Sequence, residues 1–242
     1  MIRALWTGLV FLTATVALAT LAVGGGLLRR GRDLTFRLTR VWGRLILGAA
    51  GVRVRFEGTP DATDGQPRIF MSNHQSAVDI WVLPQKLPDS TRFVAKSSLF
   101  RIPFLGWAMT VGGFVPIDRQ DRDRAIRSLS VAARRLDEGE SLIVFPEGTR
   151  SRNGRLGPFK KGPFHLALAA GRPVVPVAIS GSFGLLPPRS VLVRSGEVLV
   201  RFAPEIDPAR FAPDDVGGLM SAVRRAIEQR LSTPSGRCEH SG

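Results

Sequence analysis

From Trp6 to Leu28 the chain runs for 23 residues without a charged side chain, bounded by Arg3 before it and by Arg29, Arg30 and Arg32 after it. At about 1.5 Å per residue, a helix of that length reaches across a hydrocarbon core of roughly 30 Å. A cleaved export signal is the competing reading, but its apolar stretch would be only about 7–15 residues and would lead into a small-residue cleavage site. Here the run is longer and closes on Gly24-Gly25-Gly26, Leu27-Leu28 and then arginine, so a membrane anchor is expected. By the positive-inside rule, the arginines that follow place the next part of the chain on the cytoplasmic side.

Composition sets the kind of partner and the size of the fold. The 242 residues hold 34 Lys and Arg against 20 Asp and Glu, a formal charge of +14, so an anionic partner is expected. Nine of the arginines fall in residues 1–58, opposed only by Asp33 and Glu57, which puts much of the excess beside the apolar run. With 44% apolar and 22% charged residues, and with Gly and Pro in no repeating register, the chain is neither disordered nor collagen-like. Its length suits one main domain plus an accessory segment. Cys238 is the only cysteine, which excludes an intrachain disulfide and a cysteine-rich metal cluster. There is no Tyr and no set of aromatics interleaved with basic residues, so no nucleic-acid partner is expected.

Asp33 to Ala50 has the pattern of a second helix. Leu38, Val41, Trp42, Leu45, Ile46 and Ala49 share one arc, and Arg37, Arg40 and Arg44 lie on the other side. That division fits a helix at a bilayer interface, apolar face on acyl chains and guanidinium groups on headgroups. A helix packed on a domain with solvated arginines has the same pattern. The expected organisation is membrane-anchoring helices over residues 1–50, an α/β domain over 51–231 and a flexible tail over 232–242 that holds Cys238 and His240.

Beyond residue 51, β-prone apolar segments alternate with helical ones, which predicts an α/β fold with a mixed sheet covered by helices. The predicted strands are Val52–Phe56, Arg68–Ser72, Arg92–Ala95, Phe114–Ile117, Ser141–Phe145, Val174–Ile179, Val191–Val193 and Val198–Phe202; the predicted helices are Ser76–Gln85, Arg122–Asp137, Gly162–Ala170 and Asp214–Leu231. Leu142-Ile143-Val144-Phe145 lacks polar alternation and should lie in the buried middle of the sheet. In Leu99–Ile117 only Arg101 is charged, and Pro103, Gly106 and Gly112-Gly113 argue against a straight spanning helix. A buried hairpin and an acyl-chain groove or membrane-facing wall both fit that segment.

Two histidines precede the tail. His165 lies in the apolar helical run Phe164-His165-Leu166-Ala167-Leu168 and reads as structural, whereas His74 follows the strand Ile69-Phe70-Met71 and precedes a helix. Reactive groups in α/β folds stand at such strand ends. Residues five apart on one helix point about 140° away from each other, so His74 and Asp79 meet only if the histidine lies outside it. With Ser76 as the cap, Asp79 can orient the imidazole and leave its second nitrogen as a general base. No serine or cysteine is needed if the nucleophile is a substrate hydroxyl attacking an acyl carbonyl. Taken alone, the spacing is a weak signal.

The stretch Phe145-Pro146-Glu147-Gly148-Thr149-Arg150-Ser151 is more specific. Pro146 stops the ladder and Gly148 lets the backbone turn, so Glu147, Thr149 and Arg150 emerge at the sheet edge. Arg150 can hold a phosphate bidentately, with Lys160 and Lys161 adding charge nearby, while Arg152 and Arg155 read as surface residues. Amides of the Gly148 loop, or those near Ser76, are candidate donors to a developing oxyanion.

In order, Asn73-His74 with Asp79, then Gly113-Phe114-Val115-Pro116-Ile117-Asp118-Arg119, then the Phe145–Ser151 stretch, then Val174-Val175-Pro176-Val177-Ala178-Ile179 resemble the four motifs of the glycerolipid acyltransferases. The likeness runs from about residue 50 to 205 and includes Ala95-Lys96-Ser97-Ser98-Leu99 and Phe159-Lys160-Lys161-Gly162. It implies that His74 is the base and Asp79 its orienting partner. Arg119 and Arg150 would bind an acceptor phosphate, Glu147, Gly148 and Thr149 would shape that pocket, and Lys96 would face phosphate. It further implies acyl transfer from acyl-CoA or acyl carrier protein to the sn-2 hydroxyl of a lysophosphatidate, with neither metal nor cofactor, at the cytoplasmic face of a bacterial inner membrane. Another acceptor, such as a lyso-ornithine lipid, would keep the chemistry. A non-catalytic basic membrane-binding module is the reading from a different class.

Overall fold

Two antiparallel helices, α1 (Ile2–Gly25) and α2 (Gly31–Ala50), lead into an alternating α/β unit in the computed structural model, which describes residues 2–26, 31–60, 64–118, 122–187 and 190–233. The unit comprises β1 (Val52–Glu57), β2 (Ile69–Ser72), α3 (Val78–Val82), β3 (Thr91–Lys96), α4 (Leu105–Val111), β4 (Val115–Ile117), α5 (Arg122–Asp137), β5 (Ser141–Val144), α6 (Gly162–Ala170), β6 (Val174–Ser180), α7 (Ser182–Leu185), β7 (Gly196–Phe202) and α8 (Val216–Ser232). The sheet order is β1-β7-β6-β2-β5-β3-β4. Every neighbouring pair is parallel except β6 and β7. The sheet is therefore mixed and helix-covered, and the ends of β2, β3, β5 and β6 share one edge.

Alternation along the strands feeds two cores. Phe70 and Ile143 point to one face, where Phe36, Ile46 and Leu47 of α2 meet them; Ile69, Met71, Leu142 and Val144 point to the other, against Leu136, Phe164 and Val223. The N-terminal hairpin therefore shares a core with the sheet. On α1, the small residues Ala14, Ala19, Ala22 and Gly25 are buried, while Ile2, Leu5, Trp6, Leu9, Leu12 and Leu21 are exposed. With a mean hydropathy of 1.9, α1 is long and apolar enough to cross a membrane. Leu28, Arg29 and Arg30 lie outside the described residues, as do Cys238 and His240.

The arginines of α2 do not form a free basic face. Arg40 donates to the carbonyls of Pro84 (2.9 Å) and Leu87 (2.8 Å), Arg37 and Arg40 pair with Asp89, and Arg44 donates to Gln85 (2.8 Å). The 3₁₀ turn Leu83–Gln85 ends with carbonyls that need donors, and the guanidinium groups supply them. At the start of α2, the buried Arg92 bridges Asp33 (2.7 Å) and Glu140 (2.8 Å).

Three predicted elements differ. Val191–Val193 forms no strand: it lies in the loop between α7 and β7, where Val191 and Leu192 are exposed and only Val193 is buried. The helix expected from Ser76 starts at Val78, since Asp79 holds the amides of Gln75 and Ser76 in a turn. Leu99–Ile117 is neither a hairpin nor one helix: it is the end of a 3₁₀ turn, α4 and β4. Leu99, Leu105, Ala108 and Met109 line a cavity, and Ile102, Phe104 and Trp107 are exposed.

Candidate active site

β2 lies between β5 and β6, so the residues after it are gripped from both sides. The Asn73 side chain pairs with the backbone of β6 as a strand residue would, donating to Ile179 O (2.9 Å) and accepting from Ile179 N (2.7 Å). The His74 amide donates to Glu147 Oε1 (2.8 Å), and the His74 carbonyl accepts from the Ser151 amide (2.7 Å). Gln75 Nε2 donates to Gly154 O (2.8 Å). These bonds fix the loop before its side chain does anything.

His74 Nδ1 lies 2.8 Å from Asp79 Oδ2, and that same oxygen accepts the amides of Gln75 (2.7 Å) and Ser76 (2.9 Å). Asp79 is fully buried, whereas the His74 side chain is 13% exposed. The pair is therefore anchored at the carboxylate and open at the imidazole. With the carboxylate accepting from Nδ1–H, Nε2 is left with its lone pair.

Glu147 is placed differently from the expectation that it shapes the acceptor pocket. Its carboxylate lies behind the loop, only 5% exposed, with Oε1 on the His74 amide and Oε2 on the Gly157 amide (2.8 Å). Burial pushes its pKa up, against the two amides that favour the charged form. The motif's spacing places Glu147 beside Thr149 and Arg150 in sequence, but the turn closed by Gly148 N and Phe145 O (3.0 Å), with Gly148 at φ 76°, sends the carboxylate to the opposite side.

His74, Lys96, Thr149 and Arg150 all line one cavity of about 520 Å³. Its remaining wall is mostly apolar and reaches Phe11, Leu18 and Ala22 of α1 and Leu38 and Trp42 of α2. Trp42 Nε1 donates to Thr15 Oγ1 (3.0 Å), joining the two helices over it. Arg119 lies outside the described residues. His165 is exposed on α6 rather than packed in the core, and does not line the cavity. The oxyanion donors expected near Ser76 are already used by Asp79, and the Gly148 amide is used by Phe145. The amides of Thr149 and Arg150 make no hydrogen bond among the described residues.

Two contributors escaped the sequence reading. Asn73 was visible as the residue before His74, but its grip on β6 depends on strand order. Phe145 opens the Phe145–Ser151 stretch, but nothing in the sequence shows that its ring stacks on His74.

The profile of the acyltransferase family matches residues 53–180, which contain His74, Asp79 and the Glu147–Arg150 turn. The chain belongs to this acyltransferase family. Similar proteins include the human 1-acyl-sn-glycerol-3-phosphate acyltransferase alpha, 33% identical over 226 residues that cover 93% of this chain and 78% of that one. The chloroplastic 1-acyl-sn-glycerol-3-phosphate acyltransferase BAT2 of Brassica napus is 42% identical over 135 residues, 55% of this chain and 39% of that protein. For the 1-acyl-sn-glycerol-3-phosphate acyltransferase of Saccharomyces cerevisiae the match is 38% over 169 residues, 69% of this chain and 56% of that one. The matches thus span between about two fifths and under two thirds of the plant and yeast relatives. The crystal structure of the 1-acyl-sn-glycerophosphate (LPA) acyltransferase PlsC from Thermotoga maritima has the same fold, with a TM-score of 0.82, 24% identity and coverage of 98% of this chain and 97% of that one.

Proposed function

We propose that the protein transfers an acyl chain from a thioester, acyl-CoA or acyl carrier protein, to the sn-2 hydroxyl of lysophosphatidate, forming phosphatidate. One observation carries this reading: the open imidazole of His74, anchored at Nδ1 by buried Asp79, lines a largely apolar cavity with Lys96 and Arg150 on its wall. The relatives named for the same reaction support the choice of acceptor.

In this reading Nε2 of His74 accepts the hydroxyl proton as the acceptor oxygen attacks the thioester carbonyl. Asp79 holds the ring and stabilises the imidazolium, a contribution of roughly 10²–10⁴-fold for general-base catalysis. The free amides of Thr149 and Arg150 take the negative charge on the carbonyl oxygen. As the C–S bond breaks, the imidazolium returns the proton to the departing thiolate. Arg150 and Lys96 hold the acceptor phosphate with charge-assisted bonds, and Arg119 joins them by the motif it occupies. The apolar wall contributed by α1 and α2 receives an acyl chain. No metal or cofactor is part of the scheme.

The substrate lives in a bilayer and the thioester donor in the cytoplasm, so the enzyme works at the cytoplasmic face of an inner membrane, with α1 in the lipid. The test is a purified-protein assay offering a panel of lysolipids with both donor types, read by mass spectrometry. Phosphatidate from lysophosphatidate is expected, and His74→Ala abolishes it. Product from a phosphate-free lysolipid alone would transfer the assignment to that acceptor.

A further inference from the structure

The loop between α7 and β7 holds two large apolar side chains out to solvent: Val191 is 89% exposed and Leu192 55%. Leu186 and Val193 on either side are buried, so the loop is pinned at both ends. Its place follows from the topology. β7 runs antiparallel to β6, so Gly196 starts at the sheet edge from which His74 emerges. On the way in, the Leu186 carbonyl accepts from Ser76 Oγ (3.0 Å), beside the catalytic loop. On the way out, Gly196 N faces Gly51 O, and a Cβ placed on Gly51 would lie 3.3 Å from Ser195 Cβ and 3.5 Å from Arg3 Nη1. The loop thus connects the start of the active segment with the first turn of α1, where Ile2, Leu5 and Trp6 are exposed.

The surroundings are basic. Arg3, Arg53 and Arg194 are exposed at this edge with no carboxylate partner among the described residues, while Glu197 pairs with Arg55. An apolar tip three residues from Ser195, which shares the Gly51 turn with Arg3 of α1, with unpaired guanidinium groups at the same sheet edge, matches an anionic bilayer surface.

We propose that Val191 and Leu192 insert into the lipid beside the first turn of α1, with Arg3, Arg53 and Arg194 on anionic headgroups, extending the membrane contact of the hairpin onto the catalytic edge. The inference rests on the membrane-docked enzyme proposed above. Ile102 and Phe104, exposed after β3, flank the opposite side of the same edge.

The test places an environment-sensitive fluorophore at Leu192→Cys in the full chain carrying Cys238→Ser, with vesicles of phosphatidylcholine and phosphatidylglycerol. A matching probe at Gln66→Cys reports from the opposite sheet edge, before β2. Emission from position 192 is expected to shift to the blue on vesicle addition and to be quenched by nitroxide-labelled acyl chains, with no change at 66. Val191→Asp with Leu192→Asp should lower vesicle partitioning about tenfold while α1 still binds. A probe at 192 that stays as exposed as one at 66, on protein that cosediments with vesicles, overturns the insertion and spares the membrane reading. No vesicle binding at all overturns both. Shielding of 192 that needs no vesicles and grows with protein concentration overturns it in favour of a second copy of the chain.

Discussion

The imidazole of His74 lies flat against the ring of Phe145, with centroids 3.9 Å apart and planes 15° from parallel. The register pairs Met71 with Val144, so segments following two neighbouring strands supply the imidazole and the surface that holds it flat. Phe145→Leu keeps apolar volume and removes the plane, forfeiting a contact of about 0.5–1.5 kcal/mol. Steady-state kinetics should show turnover lowered by up to about tenfold with little change in KM for the acceptor.

Asp79 Oδ2 serves three donors, while Oδ1 is buried without a hydrogen-bond partner among the described residues. Asp79→Asn can keep an oxygen at the first position and put its amide at the second, so the loop survives with about 1–3 kcal/mol lost to a buried unsatisfied donor. The neutral oxygen no longer stabilises an imidazolium. Transfer should fall by roughly 10²–10⁴-fold, far more than the change in a denaturation midpoint accounts for.

Glu147 links two backbone segments, and Glu147→Gln leaves either the His74 or the Gly157 amide facing another donor. A stability loss of about 1–3 kcal/mol is expected at neutral pH, with turnover reduced through the displaced loop. Because burial raises this carboxyl above its ordinary 4.5, the folded chain keeps the proton to higher pH than the unfolded chain. Its contribution to stability is therefore full below the ordinary value and lost as pH rises through the raised one. Chemical denaturation across that range should show this fall in the parent protein and a flatter profile in the Gln variant.

Arg150 and Lys96 line the cavity with His74. Arg150→Ala should raise KM for lysophosphatidate by about tenfold or more, the worth of a charge-assisted bond, with Arg150→Lys recovering part of it. Lys96→Ala should act in the same direction. A phosphate-free lysolipid assayed in parallel should show no such penalty.

The parts of the fold carried by short-range pattern were readable: the unbroken run Leu142–Phe145 announced a central strand, and β5 sits between β2 and β3. The pairing of His74 with Asp79 was readable only conditionally, because five residues of helix would part them; the amides of Gln75 and Ser76 on the same carboxylate delay the helix and fold the loop back. Where the reading went astray, the missing information was a neighbour. An amphipathic wheel separates Arg37 and Arg40 from apolar residues but does not say that Asp89 and two carbonyls wait on the polar side. Val191–Val193 has strand composition, but it lies in the loop before β7, with Val191 and Leu192 exposed. Glu147 is contiguous with exposed Thr149 and Arg150 and still turns inward, a reversal decided by one glycine at positive φ.

Phe11, Leu18 and Ala22 of α1 form part of the wall of the cavity that His74 lines. Shortening the protein by this helix therefore removes a piece of the chamber as well as the proposed hold on lipid. Grafting a foreign lipid tether onto such a shortened protein would return it to the proposed surface with the His74–Asp79 pair intact and the chamber unroofed, and the proposed acyl transfer would not return.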